Sequence, residues 1–302
     1  MREKPPPGAI QRRHHRGSTL ISRFCLNHEP LFLNGVLDQG YWPDGLYTAP
    51  SDEALIYDIQ TMKNLGFNMI RKHVKVETAR WYYHCDRLGM IVWQDMVNGG
   101  TYNAPFMTWL PALFPKFKLH TSDRIHPLFG RKNVHGREEF IRECKETVTA
   151  LKAFPCISTW VIFNEGWGQF DSKKLTALFR ELDDTRLIDS ASGWFDRRQG
   201  DFKSEHNYFA KQFVIPSDRA FVISEYGGYT CQVKGHTCSG KTYGYKICSS
   251  PEEFQAAYYK LMSEEIEPLK EQGLCGAVYT QLSDIEDEIN GLMTYDREVC
   301  KL

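Results

Sequence analysis

Two glutamates stand directly after apolar runs of the kind that form buried strands. The runs are Trp160-Val161-Ile162-Phe163-Asn164-Glu165-Gly166-Trp167 and Phe221-Val222-Ile223-Ser224-Glu225-Tyr226-Gly227-Gly228. A charged side chain at such a place is rarely buried without a partner or a task. Two carboxylates facing across a cleft can divide the work of breaking a glycosidic bond: one, protonated, donates to the leaving oxygen, and the other, ionised, attacks the anomeric carbon. Taken singly, each glutamate is equally an ion-pair partner. Their positions at matching strand ends favour the catalytic reading. Arg71 closes another apolar run, where a guanidinium would hold a carboxylate ionised and oriented. His206-Asn207-Tyr208 follows a further one, offering an imidazole to a sugar hydroxyl and a phenol to the nucleophile. Trp42, Trp93, Trp167 and Trp194 follow or end strand candidates as well. Their flat faces suit the C–H face of a pyranose, with core packing as the alternative for each. Asp38, Asp95 and Asp284 also lie at strand ends, where each could simply brace the structure.

The elements that would position these residues form a regular alternation. Apolar runs at Leu31–Leu37, Phe67–Arg71, Met90–Trp93, Ile157–Phe163, Arg186–Ser190, Lys203–His206, Phe221–Ser224 and Cys275–Thr280 read as strands. Amphipathic segments from Ser51 to Gly66 and at Glu77–Leu88, Glu138–Ala153, Ser172–Leu182 and Pro251–Gln272 read as helices. Repeated strand–helix units imply parallel strands, since each return needs a crossover on one face of the sheet. The eight strands are expected to close as a single-domain (β/α)8 TIM barrel over residues 31–302, with chemistry at the C-terminal ends of the strands. Residues 1–30, basic and carrying Pro5-Pro6-Pro7, are expected to form a mobile arm.

Composition narrows the function. With 37 Lys+Arg against 38 Asp+Glu in 302 residues, the net charge of −1 argues against a nucleic-acid partner. No apolar stretch is long enough to span a bilayer and no signal-like segment opens the chain, so a soluble, cytoplasmic protein without a membrane partner is expected. The nine cysteines form no CxxC pair, which suits free thiols. Gly-rich phosphate fingerprints are absent, and no cofactor is expected. Cys231, His236, Cys238 and Cys248 share one loop, but their spacing matches no zinc hook, and no metal is expected. Met96–His135 is too long for an ordinary connector and is expected either to shape subsites for the leaving group or to be an ordered insertion with its own apolar cluster.

Several runs resemble the catalytic barrel of glycoside hydrolase family 2, the family of β-galactosidases, β-glucuronidases and β-mannosidases. They are Leu33-Asn34-Gly35-Val36-Leu37-Asp38-Gln39-Gly40-Tyr41-Trp42-Pro43-Asp44-Gly45, Gly66-Phe67-Asn68-Met69-Ile70-Arg71-Lys72-His73 and Cys85-Asp86-Arg87-Leu88-Gly89-Met90-Ile91-Val92-Trp93-Gln94-Asp95. Phe163-Asn164-Glu165 is similar to the family's acid/base signature and Ile223-Ser224-Glu225-Tyr226-Gly227 to its nucleophile signature. The resemblance runs from about Leu31 to the C-terminus. It implies a retaining double displacement on a β-glycoside, with Glu225 as nucleophile and Glu165 as acid/base. It also implies that Asn164 binds the 2-hydroxyl, Arg71 and Tyr208 orient Glu225, and His73, Asp95 and His206 line the sugar subsite. Trp42, Trp167 and Trp194 are the candidate sugar platforms. Three departures qualify the match: the family usually has two β-sandwich domains before the barrel, whereas about thirty unrelated-looking residues precede it in this sequence; Thr280 stands where a Trp is common; and Glu288-Ile289-Asn290-Gly291 stands in place of the Asn-x-Lys pair with which β-glucuronidases read a sugar carboxylate. A neutral hexoside is therefore the expected substrate. The competing readings are a carbohydrate-binding remnant and a transglycosidase.

Overall fold

The computed structural model describes residues 10–14, 20–103, 105–113 and 121–302. The chain opens with a small antiparallel sheet of β1 (Ile10–His14), β2 (Leu20–Leu26) and β3 (Glu29–Pro30). Eight further strands make the main sheet: β4 (Leu33–Asp38), β5 (Met69–Lys72), β6 (Ile91–Asp95), β7 (Ile157–Val161), β8 (Leu187–Asp189), β9 (Phe202–Asn207), β10 (Ala220–Gly227) and, after the short pair β11 (Tyr229–Cys231) and β12 (Lys246–Cys248), β13 (Leu274–Thr280). Their order is β8-β7-β6-β5-β4-β13-β10-β9, and every neighbouring pair is parallel. This is the expected TIM barrel. Among the described residues no backbone ladder joins β8 to β9. Side chains close that seam: the Ser204 hydroxyl donates to the Asp189 carboxylate at 2.7–2.9 Å.

The helices are α1 (Asp52–Asn64), α2 (Ala79–Leu88), α3 (Leu110–Leu113), α4 (Val134–Leu151), α5 (Ser172–Leu182), α6 (Pro251–Leu261) and α7 (Glu267–Glu271). Their ends follow local chemistry. Ser51 caps α1 through a 3.2 Å bond from the Ala54 N–H, with Asp52 and Glu53 in the first turn. Ser250 caps α6 in the same way, ahead of Pro251. One face of α1, with Leu55, Ile59 and Met62, is buried against the sheet. The long helix expected over Pro251–Gln272 is interrupted by a π-turn at Met262–Ile266 before α7 begins.

Alternation along the strands sorts two cores. Val36, Ile70, Val92, Trp160, Ile223 and Tyr279 face outward to the helices, whereas Leu33, Leu37, Met69, Trp93, Phe202, Val222 and Val278 fill the barrel. Trp93, a candidate sugar platform, is wholly buried in that inner core.

The expectation of a mobile arm through residue 30 is corrected where the chain is described; residues 1–9 and 15–19 lie outside the described residues. Phe24 of β2 plugs the N-terminal mouth of the barrel, edge-on to Phe202 at 5.3 Å and to Trp93 at 6.2 Å. Arg23, within that basic segment, donates to the carbonyls of Leu274 and Lys270, both at 2.7 Å. The basic composition hid this because the apolar residues here are few and serve as a stopper for another sheet.

Candidate active site

The polar end of the barrel interior lies at the C-terminal ends of the strands. On β5, Met69 points inward, Ile70 outward and Arg71 inward again, so alternation alone delivers the guanidinium to the mouth. On β6, Trp93 and Asp95 are two apart and share the inner face. On β9, Phe202, Ser204 and His206 do the same.

Glu225 needs more than alternation. Val222 is inside and Ile223 outside, so strict pleating would turn Glu225 outward. The register between β9 and β10 slips at this point: Ile223 pairs with Glu205, but Glu225 pairs with His206. The extra residue, Ser224, is a bulge that returns Glu225 to the cleft while Tyr226 resumes the outer face. Glu165 is aimed by backbone strain instead. It takes φ +55°, in the left-handed region, and Gly166 follows at φ +74°. A Cβ at Gly166 would come within 2.3 Å of the Phe195 ring, so glycine is required there. The Glu165 N–H holds the turn by donating to the Ser192 carbonyl at 2.9 Å.

Arg71, fully buried, joins the cluster. Its Nε and Nη2 donate to both oxygens of Asp95 at 2.9 Å, its Nη1 to Glu225 Oε1 at 3.0 Å, and its Nη2 to Asn164 Oδ1 at 2.9 Å. Burial pushes the Asp95 carboxyl up, but Arg71 and His73 outweigh it and hold it below the ordinary range. His73 Nδ1 lies 3.0 Å from Asp95. The Tyr208 hydroxyl donates to Glu225 Oε2 at 2.5 Å and lies 2.9 Å from Thr280 Oγ1. Burial and the adjacent Glu225 raise the phenol's pKa well above its usual value, so it stays a donor.

His206 sits between the two glutamates, with Nδ1 2.9 Å from Glu165 Oε1 and 3.3 Å from Glu225 Oε2. Its Nε2 faces Arg71 Nη1 at 3.4 Å. A guanidinium only donates, so Nε2 is the acceptor and Nδ1 carries the proton. Burial drives the imidazole down to about 3, which keeps it neutral. Burial also raises the Glu165 carboxyl above the ordinary carboxylate range.

One oxygen from each glutamate and a nitrogen of His206 lie within 4.8 Å of one another. Three such ligand atoms could meet a cation, but Arg71 already supplies positive charge at this point. Among the described residues, Cys231, His236, Cys238 and Cys248 do not gather: Cys231 pairs with Cys248 across β11 and β12, while His236 is held by Asp296 and Cys238 by the Glu286 carbonyl.

The cleft above the glutamates has a volume of about 690 Å³. Of the sequence candidates, His73, Asn164, Glu165, Trp194, Tyr208 and Glu225 line it. Arg71, Asp95 and His206 lie just beneath, acting through the residues above them. Trp42 and Trp167 do not line it. Trp42 is buried under the Arg297 guanidinium, 4.3 Å from its ring, and Trp167 is tied by its indole N–H to the Gly100 carbonyl. Asp38 and Asp284 are braces, paired with Lys72 at 2.5 Å and Lys301 at 2.6 Å.

Sequence reading missed Gln39, Tyr102, Trp109, Phe209, Tyr243 and Tyr245, all of which line the cleft. Tyr245 stacks flat on Tyr208, with ring centroids 3.9 Å apart and planes 9° apart. Gly228, at φ +63°, makes room for the pair, since a Cβ there would lie 2.5 Å from Tyr245. The available signal was aromatic residues in loops without apolar periodicity. Within the described part of the Met96–His135 interruption, Met107 and Phe129 form a small core with Trp194 and Phe195, and Tyr102 and Trp109 line the cleft.

An eight-stranded parallel barrel with two carboxylates converging at its C-terminal mouth defines the class of paired-carboxylate barrel proteins. The family model of the glycosyl hydrolases family 2 TIM barrel domain matches residues 21–298, and the chain belongs to that family. A β-galactosidase of Priestia megaterium is 24% identical over 213 residues, covering 64% of this chain and 17% of that protein. The chain therefore spans less than a fifth of that relative's length. A family 2 β-galacturonidase of Eisenbergiella tayi, solved with galacturonate bound, superposes with a TM-score of 0.67 at 16% identity, covering 95% of this chain and 51% of that one. A β-glucuronidase of Parabacteroides merdae gives 0.62 at 16% identity, covering 91% and 36%. The described residues contain no helix long and apolar enough to cross a membrane.

Proposed function

We propose that this chain is a retaining β-glycosidase acting on terminal, neutral hexosides. The observation that carries the proposal is the convergence of Glu165 and Glu225, whose carboxylate oxygens approach within 4.8 Å across one cleft. One oxygen of each within 4.8 Å of the other is in keeping with the roughly 5–5.5 Å separation of retaining enzymes, rather than the ~6.5–9.5 Å of inverting ones. Glu225 attacks the anomeric carbon as the bond to the leaving oxygen breaks, and that oxygen takes the proton of Glu165. The sugar is then an ester of Glu225. Glu165, now ionised, accepts a proton from water as the water oxygen attacks the same carbon and releases Glu225. Burial raises the Glu165 carboxyl and so favours the proton it donates in the first step, and loss of the Glu225 charge on esterification favours its ionisation for the second. Arg71 and Tyr208 each hold one oxygen of Glu225, which fixes the direction of attack.

The preference for a neutral sugar rests on Glu288. It lines the cleft and is held by the amides of Gln39 and Gln281 at 3.2 and 3.1 Å. A hexuronate would bring a second carboxylate to this carboxyl, and among the described residues no lysine lines the cleft to meet it. Aryl β-glycosides of galactose, glucose, mannose and glucuronate, tested with the wild type, Glu165→Gln and Glu225→Gln, check the proposal. Turnover of one neutral glycoside, abolished in Glu225→Gln, is expected. Sugar binding without any turnover by a folded wild type would favour the carbohydrate-binding remnant, and glucuronide as the best substrate would refute the reading of Glu288.

A further inference from the structure

The cleft changes character from floor to mouth. Its floor holds the ionisable groups His73, Glu165, Glu225 and Glu288. Its mouth holds four aromatic rings that the catalytic cluster does not use: Tyr102, Trp109, Phe209 and Tyr243, exposed at 57, 64, 63 and 52%. Single exposed apolar residues are ordinary, but four rings gathered around one opening mark a binding surface. They arrive from separate loops, after β6, after β9 and between β11 and β12, so no one amphipathic element explains them.

Three of the four rings are braced by ring neighbours. Phe209 and Tyr243 meet Tyr245 edge-on at 5.1 and 6.1 Å, and Tyr245 is itself stacked on Tyr208. Tyr102 meets the anchored ring of Trp167 edge-on at 6.0 Å. Rings fixed by neighbours lose little entropy on meeting a ligand.

We infer that this aromatic mouth is a leaving-group site built for a flat, apolar aglycone. The inference rests on the glycosidase reading, which places the sugar on the polar floor with its leaving oxygen turned outward. A second sugar is the competing occupant. Besides ring faces it would need several planar amides, carboxylates or guanidinium groups to meet its hydroxyls, and the four exposed rings offer only the phenol hydroxyls of Tyr102 and Tyr243 and the indole N–H of Trp109. An aromatic aglycone needs ring faces and little else.

The test uses thioglycosides, which resist hydrolysis and so separate binding from turnover. For each of galactose, glucose and mannose, the methyl and phenyl β-thioglycosides and a thio-linked disaccharide are titrated calorimetrically into the full chain. With the glycone that binds, the phenyl compound is expected to bind at least about tenfold more tightly than the methyl compound, and the disaccharide within about threefold of the methyl. The phenyl-to-methyl ratio should fall to about 1–3 in Trp109→Ala/Tyr243→Ala and return towards the wild-type value in Trp109→Phe/Tyr243→Phe, with methyl binding unchanged throughout. Both positions are more than half exposed, so the fold should tolerate these changes; thermal melts verify it. A disaccharide that binds more tightly than the phenyl compound, a wild-type ratio near 1, a ratio insensitive to the double alanine variant, or no binding by any compound overturns the inference. The underlying reading fails differently: a wild type that shows the phenyl preference and the aromatic-variant effect, yet hydrolyses no aryl glycoside, would retain this site and refute the glycosidase.

Discussion

Replacing Arg71 by methionine probes the centre of the cluster. The wild-type guanidinium makes three charge-assisted bonds of 2.9–3.0 Å, two to Asp95 and one to Glu225, with all three residues buried. Breaking a buried pair by removing one partner costs about 3–5 kcal/mol, because the remaining charge is stranded. For a chain of total stability about 5–15 kcal/mol the variant should still fold. The cost should also depend on pH in a defined direction. In the wild type Asp95 is held below its ordinary value of 3.8, so its stabilising contribution is complete above that pH and drains only as pH falls through the lower, folded value. In Arg71→Met the principal counter-charge is gone and burial acts more freely, pushing the carboxyl up. An ionised Asp95 then destabilises the variant at neutral pH, and protonation relieves the penalty on acidification. Urea unfolding at about pH 7.5 and about pH 5 measures both arms. The expected difference from wild type is about 3–5 kcal/mol at the higher pH and clearly smaller at the lower. A loss under about 1 kcal/mol, or one that grows as the pH falls, would refute the assignment of Arg71 as the counter-charge of this cluster.

Tyr245→Ala removes the ring that supports Tyr208 and should lower kcat by up to roughly tenfold, while Tyr245→Phe keeps the stack and most of the rate; steady-state kinetics on one aryl glycoside decides. Arg23→Ala, at the opposite end of the barrel, loses two bonds to backbone carbonyls and should cost about 1–3 kcal/mol in urea without altering kcat. Glu288→Gln should raise the relative kcat/KM for a glucuronide over a neutral glycoside by about tenfold, read from paired assays, because it removes the like charge but adds no cation.

The fold was legible where apolar periodicity was strong. The eight barrel strands follow from short buried runs alternating with amphipathic helices, and the inward places of Arg71, Asp95 and His206 follow from counting by twos. Glu225 shows the limit of that counting: its direction depends on the bulge at Ser224, a register slip with no periodic signature. The β2 plug was illegible for a different reason, since one phenylalanine in a basic segment reads as noise until the open barrel end is present to receive it. Trp42 and Trp167 do not line the cleft, because a strand-end position does not say which way a ring turns. Tyr245 was missed because its task is set by a ring distant in sequence, Tyr208, and by the glycine at 228 that admits both.

The double displacement at Glu225 is tested most directly by trapping it. Incubation with an activated 2-deoxy-2-fluoro β-glycoside of the preferred sugar slows the second step, and peptide mass spectrometry of the inactivated protein locates the ester. One glycosyl group on the peptide carrying Glu225, absent in Glu225→Gln, together with a first-formed product of β configuration, is the predicted result. A label on another residue, or hydrolysis that releases the inverted anomer, would contradict it.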